Sequence, residues 1–269
     1  MSGNTRAVYL LPYYLWIVLF VVAPVLLVLY YSFFDVDGNF TLANYANFMT
    51  PIYLQMTLSS FWYALLVTVF SLLVAYPAAY YLTRTKHKQL WLLLIILPTW
   101  INLLLKTYAF IGIFGTQGPI NGLLSVFGIG EQQLLFTSFS FVFVSVYIFI
   151  PFMILPIFNA LEGLNPSLLA AARDLGASKW TAFRRVVFPL TLGGVRSGCM
   201  AVFIPALSLF MITRLIAGNK VITLGTAIEQ HFLVTQDWGM GSTVAVFLVV
   251  AMIILMLLFG GRGEVQRGK

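Results

Sequence analysis

Thr99, Asn102 and Lys106 recur at i, i+3 and i+7 and would share one face of a helix, with Trp100 and Tyr108 beside them. A hydroxyl, an amide and an ammonium on one stripe can hydrogen-bond or hold charge where water is scarce, and such groups inside a membrane are often functional. At about 1.5 Å per residue, Lys106 lies about 24 Å along an apolar run that begins near Leu90. That is close to a boundary, where its ammonium can reach out to water, so it reads as an anchor. A lysine at mid-depth costs about 2.5–3.5 kcal/mol against roughly 0.3–0.6 gained from each Leu, Ile, Phe or Val, so this run can carry it at any depth. Enzymatic chemistry has little to work with. No His/Asp/Glu or Ser/His constellation clusters within the apolar runs, and His87 and His231 have no second histidine nearby to make a metal site. Cys199 is the only cysteine, which excludes an intramolecular disulfide and reads as an inert buried thiol. No Gly-x-x-x-x-Gly-Lys-Ser/Thr phosphate loop occurs, so the chain is expected to hydrolyse no ATP and to carry no cofactor of its own.

The elements that must position these groups are membrane spans. The 269 residues are 61% hydrophobic and 9% charged, with a mean hydropathy of +0.96. Soluble domains carry roughly a quarter charged residues, so a soluble enzyme is excluded. The net charge of +7 is too sparse and too interrupted to form a nucleic-acid surface. Six stretches reach the roughly 20 apolar residues that a bilayer core requires: Val8 to Phe34, Ser59 to Leu82, Leu90 to Phe114, Thr137 to Asn159, Val195 to Ala217 and Met240 to Gly260. The first is too long, and lacks the small-x-small site, for a cleaved signal, and reads as a retained anchor. Arg6, Arg84, Lys86, Lys88, Arg173, Lys179, Arg184, Arg185, Arg196, Arg262, Arg267 and Lys269, twelve of the 15 basic residues, fall on one side of this map. The positive-inside rule then places both termini in the cytoplasm. The outer connections, Asp35 to Leu58, Gly115 to Phe136 and Leu215 to Gly239, hold Asp35, Asp37, Glu131, Glu229 and Asp237. Pro24, Pro98, Pro151, Pro156 and Pro205 punctuate the spans, and Pro151 and Pro156 free the carbonyls of Tyr147 and Phe152. Such breaks mark either a translocation route or a packing kink. Gly194 and Gly198 form a Gly-x-x-x-Gly, which reads as close helix packing.

The cytoplasmic stretch Leu161 to Gly194 departs from the other connections. Asn165 can cap a helix with Pro166 at its first position, and Leu168, Leu169, Ala170, Ala171 and Ala172 propagate it until Gly176. Ser178 can cap a second helix, in which Trp180, Phe183 and Val187 recur at three- and four-residue spacing until Pro189 stops it. Small alanines permit close approach of another backbone, and Arg173, Asp174, Lys179, Arg184 and Arg185 would rim the contact. The residues alone fit both a docking prong and an amphipathic hairpin lying on lipid headgroups.

The run Ala-Ala-Arg-Asp-Leu-Gly-Ala-Ser-Lys at 171–179, with Phe-Pro-Leu at 188–190, resembles the EAA loop of permease subunits in bacterial binding-protein-dependent ABC importers. Ala170 stands where that family usually has glutamate. The likeness extends through Phe40 to Tyr45, Trp100 to Tyr108, Tyr147 to Pro156 and Asp237-Trp238, which look like the PotB-type branch, the permeases of spermidine/putrescine importers.

The resemblance implies an all-α polytopic protein of six transmembrane helices with the type I ABC importer permease fold, one permease domain over 1–269 with the coupling loop at 161–194. It implies residence in the bacterial cytoplasmic membrane and three kinds of partner besides lipid: a second homologous permease, two copies of a cytoplasmic ATPase holding ATP and Mg, and an extracytoplasmic binding protein. On this reading Ala170, Ala171, Ala172, Arg173, Asp174, Gly176, Ala177 and Ser178 meet the ATPase. A route for flexible cations should offer aromatic faces and acceptors, for which Trp100, Asn102, Tyr108, Tyr147, Phe210 and Trp238 are the candidates, with Asp237 at the outer mouth. Arg214 stands where the polyamine branch commonly has aspartate, so Asp35, Glu229 or Asp237 compensates it, or it faces the partner subunit, or the cargo is another solute such as an iron complex, an opine or thiamine. A secondary transporter or channel would show more intramembrane acids than this chain has.

Overall fold

Within a bilayer every backbone donor and acceptor must be satisfied inside the segment, and the apolar runs accordingly fold as helices. The computed structural model describes residues 3–218 and 220–259, with side chains from residue 10 onward. The membrane-length helices are α1 (Leu10–Tyr31, whose helix begins at Gly3), α3 (Pro51–Leu82), α7 (Ser138–Glu162), α9 (Lys179–Leu207) and α11 (Trp238–Phe259). Shorter helices connect them: α2 (Ala43–Phe48), α4 (Lys88–Ile96), α5 (Leu103–Phe114), α6 (Pro119–Val126), α8 (Pro166–Asp174) and α10 (Leu224–Gln230). The all-helical polytopic architecture anticipated from composition is present, with five unbroken spans and a sixth that is bent.

The bent span is the third, expected as one helix from Leu90 to Phe114. After α4 the chain tightens into a 3₁₀ turn at Leu97–Trp100, leaves the helix at Ile101 (ψ 135°), and restarts at α5 with a change of direction of 93°. Pro98 and the extended residue after Trp100 end the first half, and the side chain of Asn102 caps the second by accepting from the Leu104 amide at 2.8 Å. The polar stripe of Thr99, Asn102 and Lys106 is therefore not one helical face. Lys106 does not reach outward as an anchor either, because its Nζ folds back to the Pro98 carbonyl at 3.2 Å and ties the two halves together.

Two further boundaries differ from the sequence reading. Pro189 does not stop the second helix of the 161–194 loop. A wide π-turn at Phe183–Val187, in which the Phe188 amide bonds to the Phe183 carbonyl, carries the helix past the proline. A similar turn at Val18–Val22 precedes Pro24. The fifth span consequently begins at Lys179 and ends at Leu207, well before the expected Ala217, and the residues from Ser208 on belong to a connecting segment. Pro151 and Pro156, by contrast, are absorbed within an unbroken α7. The sixth span was expected to end at Gly260, which lies outside the described residues, as do Arg262, Arg267 and Lys269.

The core is formed by α3, α7 and α9. Small and branched residues at three- and four-residue spacing face inward: Ala64, Val67, Ala75 and Ala79 from α3, Val144, Met153 and Ile157 from α7, and Val202 and Ala206 from α9, all buried. The expected tight packing at Gly194 and Gly198 is present. A Cβ on Gly194 would lie 2.5 Å from both Ala160 Cβ and the Pro156 carbonyl oxygen, and one on Gly198 would lie 2.8 Å from Met153 Sδ. The first span buries none of its residues within the chain. Its second half lies along α11, and at its exit the Ser32 carbonyl accepts from Thr243 Oγ1 of α11 at 3.2 Å and the Phe34 carbonyl from Asn44 Nδ2 at 2.8 Å.

Candidate functional site

At one end of the bundle the 161–194 segment is built as the sequence suggests up to its second helix. Asn165 accepts from the Ser167 amide at 3.0 Å to start α8, and Pro166 occupies its first turn. Gly176 takes φ +78°, the left-handed conformation that only glycine enters without strain, and so turns the chain. Ser178 Oγ then accepts from the Thr181 amide at 3.2 Å to open α9. No residue of α8 is buried: Ala170, Ala171, Arg173, Asp174, Gly176 and Ser178 are exposed, and Ala172 and Ala177 are half-buried. Leu169 holds the helix against the bundle over a cavity of about 260 Å³ lined by Tyr80, Arg84, Lys88, Glu162 and Val187. Lys88 pairs with Glu162 across that cavity, and Arg84 lies 4.0 Å over the Tyr80 ring. Six of the eight residues named for docking are thus exposed on one projecting segment. The exposed Leu175 (90%) and Trp180 (69%) extend it, although the spacing of Trp180 with Phe183 and Val187 had marked it only as part of the second helix.

The seven residues named for a translocation route fall in three places. Trp100 (76% exposed) and Asn102 sit at the break of the third span, with Tyr108 on α5. Tyr147 projects from α7 toward the α5 ring Phe110, centroids 5.0 Å apart. Phe210 lies in the segment after α9. Asp237 and Trp238 begin α11, where Asp237 Oδ1 accepts from the Met240 amide at 2.9 Å, and Trp238 packs on Tyr31 and Phe232 at 5.8 and 5.4 Å. Among the described residues no two of the seven hydrogen-bond or stack with each other. The break that the sequence missed is what joins Trp100 and Asn102 in one non-helical corner.

Arg214 meets its counter-charge. Its guanidinium pairs with Glu229 of α10, whose side chain is only 12% exposed. Of the three acids proposed to compensate it, Glu229 is the one in contact. The pair is largely open on the arginine side, so it neutralises a charge without adding more than about 1 kcal/mol.

His231, in the wide turn at His231–Thr235, accepts from or donates to the Tyr53 hydroxyl at 2.8 Å and joins α3 to the α10 connection. Burial lowers its pKa below the usual 6.5, partly opposed by the negative charge of Asp237. A base held neutral on folding binds fewer protons than its unfolded counterpart, so stability is full above about pH 6.5 and is lost as pH falls through the folded value. The thermal midpoint should drop on acidification from pH 7.5 to 5.5, and His231→Gln should flatten that slope. Equal slopes in both proteins would mean that other groups govern it.

The chain matches the family of binding-protein-dependent transport system inner membrane components over residues 52–261. It is 37% identical over 254 residues to the spermidine/putrescine transport system permease protein PotB of Haemophilus influenzae, covering 91% of this chain and 89% of that one. It is 36% identical to the Escherichia coli protein of the same name, covering 91% and 92%. In fold it is similar to a chain of a bacterial ABC transporter that imports the acidic polysaccharide alginate, with a TM-score of 0.82, 14% identity, and coverage of 95% and 93%.

Proposed function

The chain belongs to the binding-protein-dependent transport system inner membrane components, and from that premise we propose that it forms half of the translocation pathway of an ATP-driven polyamine importer in the bacterial cytoplasmic membrane. The polyamine cargo is supported by the likeness to permeases named for spermidine and putrescine over nine-tenths of the chain. The mechanism rests chiefly on the exposed α8 prong, which stands clear of the core at the end of the bundle where α3 and α7 finish. That end faces the cytoplasm in this reading, with both termini on the same side, and the single permease domain of 1–269 presents its 161–194 loop to one of two ATPase copies. ATP and Mg bind in those partners. A second permease completes the pathway, and an extracytoplasmic binding protein delivers cargo to the opposite end.

The prong is continuous with a core span. Gly176 leads into α9, and α9 packs on α7 through Gly194 and Gly198 without a gap. A displacement of the prong by the ATPase is therefore passed to the core as a rigid-body motion of α9 against α7, which is the form alternating access takes when packed helices cannot deform continuously. In this reading the broken third span offers Trp100 and Asn102 to a passing cation, together with Tyr108, Tyr147 and Phe210, while Asp237 and Trp238 stand at the mouth. Pairing with Glu229 removes the repulsion that a free Arg214 would exert on a cation. Uptake of labelled spermidine and putrescine should be lost on deletion of the gene, restored by the intact copy, and absent with an ATPase-dead partner. Unchanged uptake after deletion, in cells with no other polyamine carrier, would assign the chain to a different cargo.

A further inference from the structure

The end of the bundle opposite the prong contains a cavity of about 410 Å³ between the exit of α1 and the start of α11. Its walls are aromatic. Trp238, Tyr31, Tyr30 and Phe34 follow one another with ring centroids 5.8, 5.7 and 4.6 Å apart. Asp35 and Gln236 supply the polar side chains of the lining, and Val36, Gly38 and Gly239 complete it. The carboxylate is fixed in place: Oδ1 accepts from the Asn39 amide at 2.8 Å and Oδ2 from Asn39 Nδ2 at 3.5 Å, and no other donor reaches it among the described residues.

The frame around the cavity is rigid. The Asp35 and Thr41 amides bond across the turn to Asn39 and Phe33 carbonyls at 3.0 and 2.8 Å. Gly239 abuts the Phe34 carbonyl so closely that a Cβ there would lie 2.0 Å from its oxygen. Tyrosine and tryptophan at a span end ordinarily form an interfacial belt with rings turned to lipid. Here Tyr30, Tyr31 and Trp238, 40–57% exposed, also border a space lined by Asp35, an arrangement that a belt does not require.

From this geometry, and resting on the reading of the chain as a polyamine importer subunit, we propose that the cavity is an entry site for a primary alkylammonium group. Asp35 is the counter-charge, Tyr30, Tyr31 and Trp238 present their faces to the cation, and Gln236 accepts from an ammonium hydrogen. Ring faces attract cations through their negative quadrupole, and a carboxylate adds a charge-assisted hydrogen bond. The volume, room for on the order of ten waters, takes an ammonium head and the methylenes behind it. A polyamine released at this end would be held by one terminus before the rest of the molecule reaches the break of the third span.

The test is equilibrium binding of labelled spermidine to the intact permease–ATPase complex in lipid nanodiscs, without the binding protein, with choline as a second probe. Asp35→Asn, which keeps the acceptor for the Asn39 amide, should weaken spermidine binding about tenfold. Trp238→Leu should weaken both probes at least threefold, and Trp238→Phe should stay within twofold of the native chain. If both Asp35→Asn and Trp238→Leu bind spermidine as the native complex does, the site is wrong. Failure of cellular polyamine uptake together with cage-dependent choline binding would overturn the cargo and leave the cation site standing.

Discussion

Gly194→Ala is expected to destabilise the protein by about 1–3 kcal/mol, the range for forcing atoms into a filled interface. For a chain of this size that corresponds to a loss of roughly 2–4 °C in thermal midpoint per kcal/mol. The added carbon would sit 2.5 Å from the Pro156 carbonyl oxygen, part of the backbone of α7, so the two helices must separate. Gly198→Ala should be milder, because its nearest obstacle is the Met153 sulfur at 2.8 Å, the movable end of a flexible side chain. Gly112→Ala meets nothing within 4 Å and replaces a helical glycine, so it should be neutral or slightly stabilising. Thermal unfolding of the three variants in nanodiscs reads the order directly. A Gly198→Ala protein less stable than Gly194→Ala would show that the backbone contact is not what limits the approach of α9 to α7.

Gly176→Val should reduce ATP-driven uptake at least tenfold while leaving the amount of folded protein in the membrane nearly unchanged. Gly176 has φ +78° and open space around its would-be Cβ, so a side chain there suffers no collision, only backbone strain. For a β-branched residue that strain is of the order of 1–2 kcal/mol and is relieved by reopening the turn, which swings α8 away from its heading. Asparagine tolerates the left-handed region, so Gly176→Asn should retain most transport, with Gly176→Ala between the two. If asparagine is as damaging as valine, the glycine is needed for close approach of a partner's backbone and not for its own conformation. Uptake and membrane abundance measured together separate these outcomes.

Much of this was legible in the sequence, because the bilayer makes hydropathy a strong constraint. The spans near Leu10–Tyr31, Ser138–Glu162 and Trp238–Phe259 are uniformly apolar, and their limits emerge within a few residues of the structure. Asn165, Pro166, Gly176 and Ser178 mark the prong because caps and left-handed turns are local chemistry. What was hidden depends on tertiary contacts or on helical register. The break at Ile101–Asn102 lies in a run apolar enough as a whole to be read as one span, and Lys106 reads as an anchor until its Pro98 partner is brought within reach. Pro189 is an ordinary stop signal in sequence, and the wide turn before it carries the helix past it. Glu229 is fifteen residues from Arg214, and no spacing rule singles it out from Asp35 and Asp237. Tyr30, Tyr31 and Phe34 are indistinguishable in sequence from belt aromatics until Trp238 and Asp35 close the cavity around them.

The wide turn at Phe183–Val187 separates two properties of the arm that a uniform helix would fuse, its reach and its compass heading. An i→i+5 turn holds one residue more than the helix around it. Each residue of an α-helix advances about 1.5 Å and rotates about 100°. The extra residue therefore sets α8 about a quarter-circle away from where an unbroken α9 would point it, for almost no change in length. In the importer proposed above, two permeases could share the same span packing and differ only in this joint, so that azimuth is tuned without disturbing the glycine seam above it.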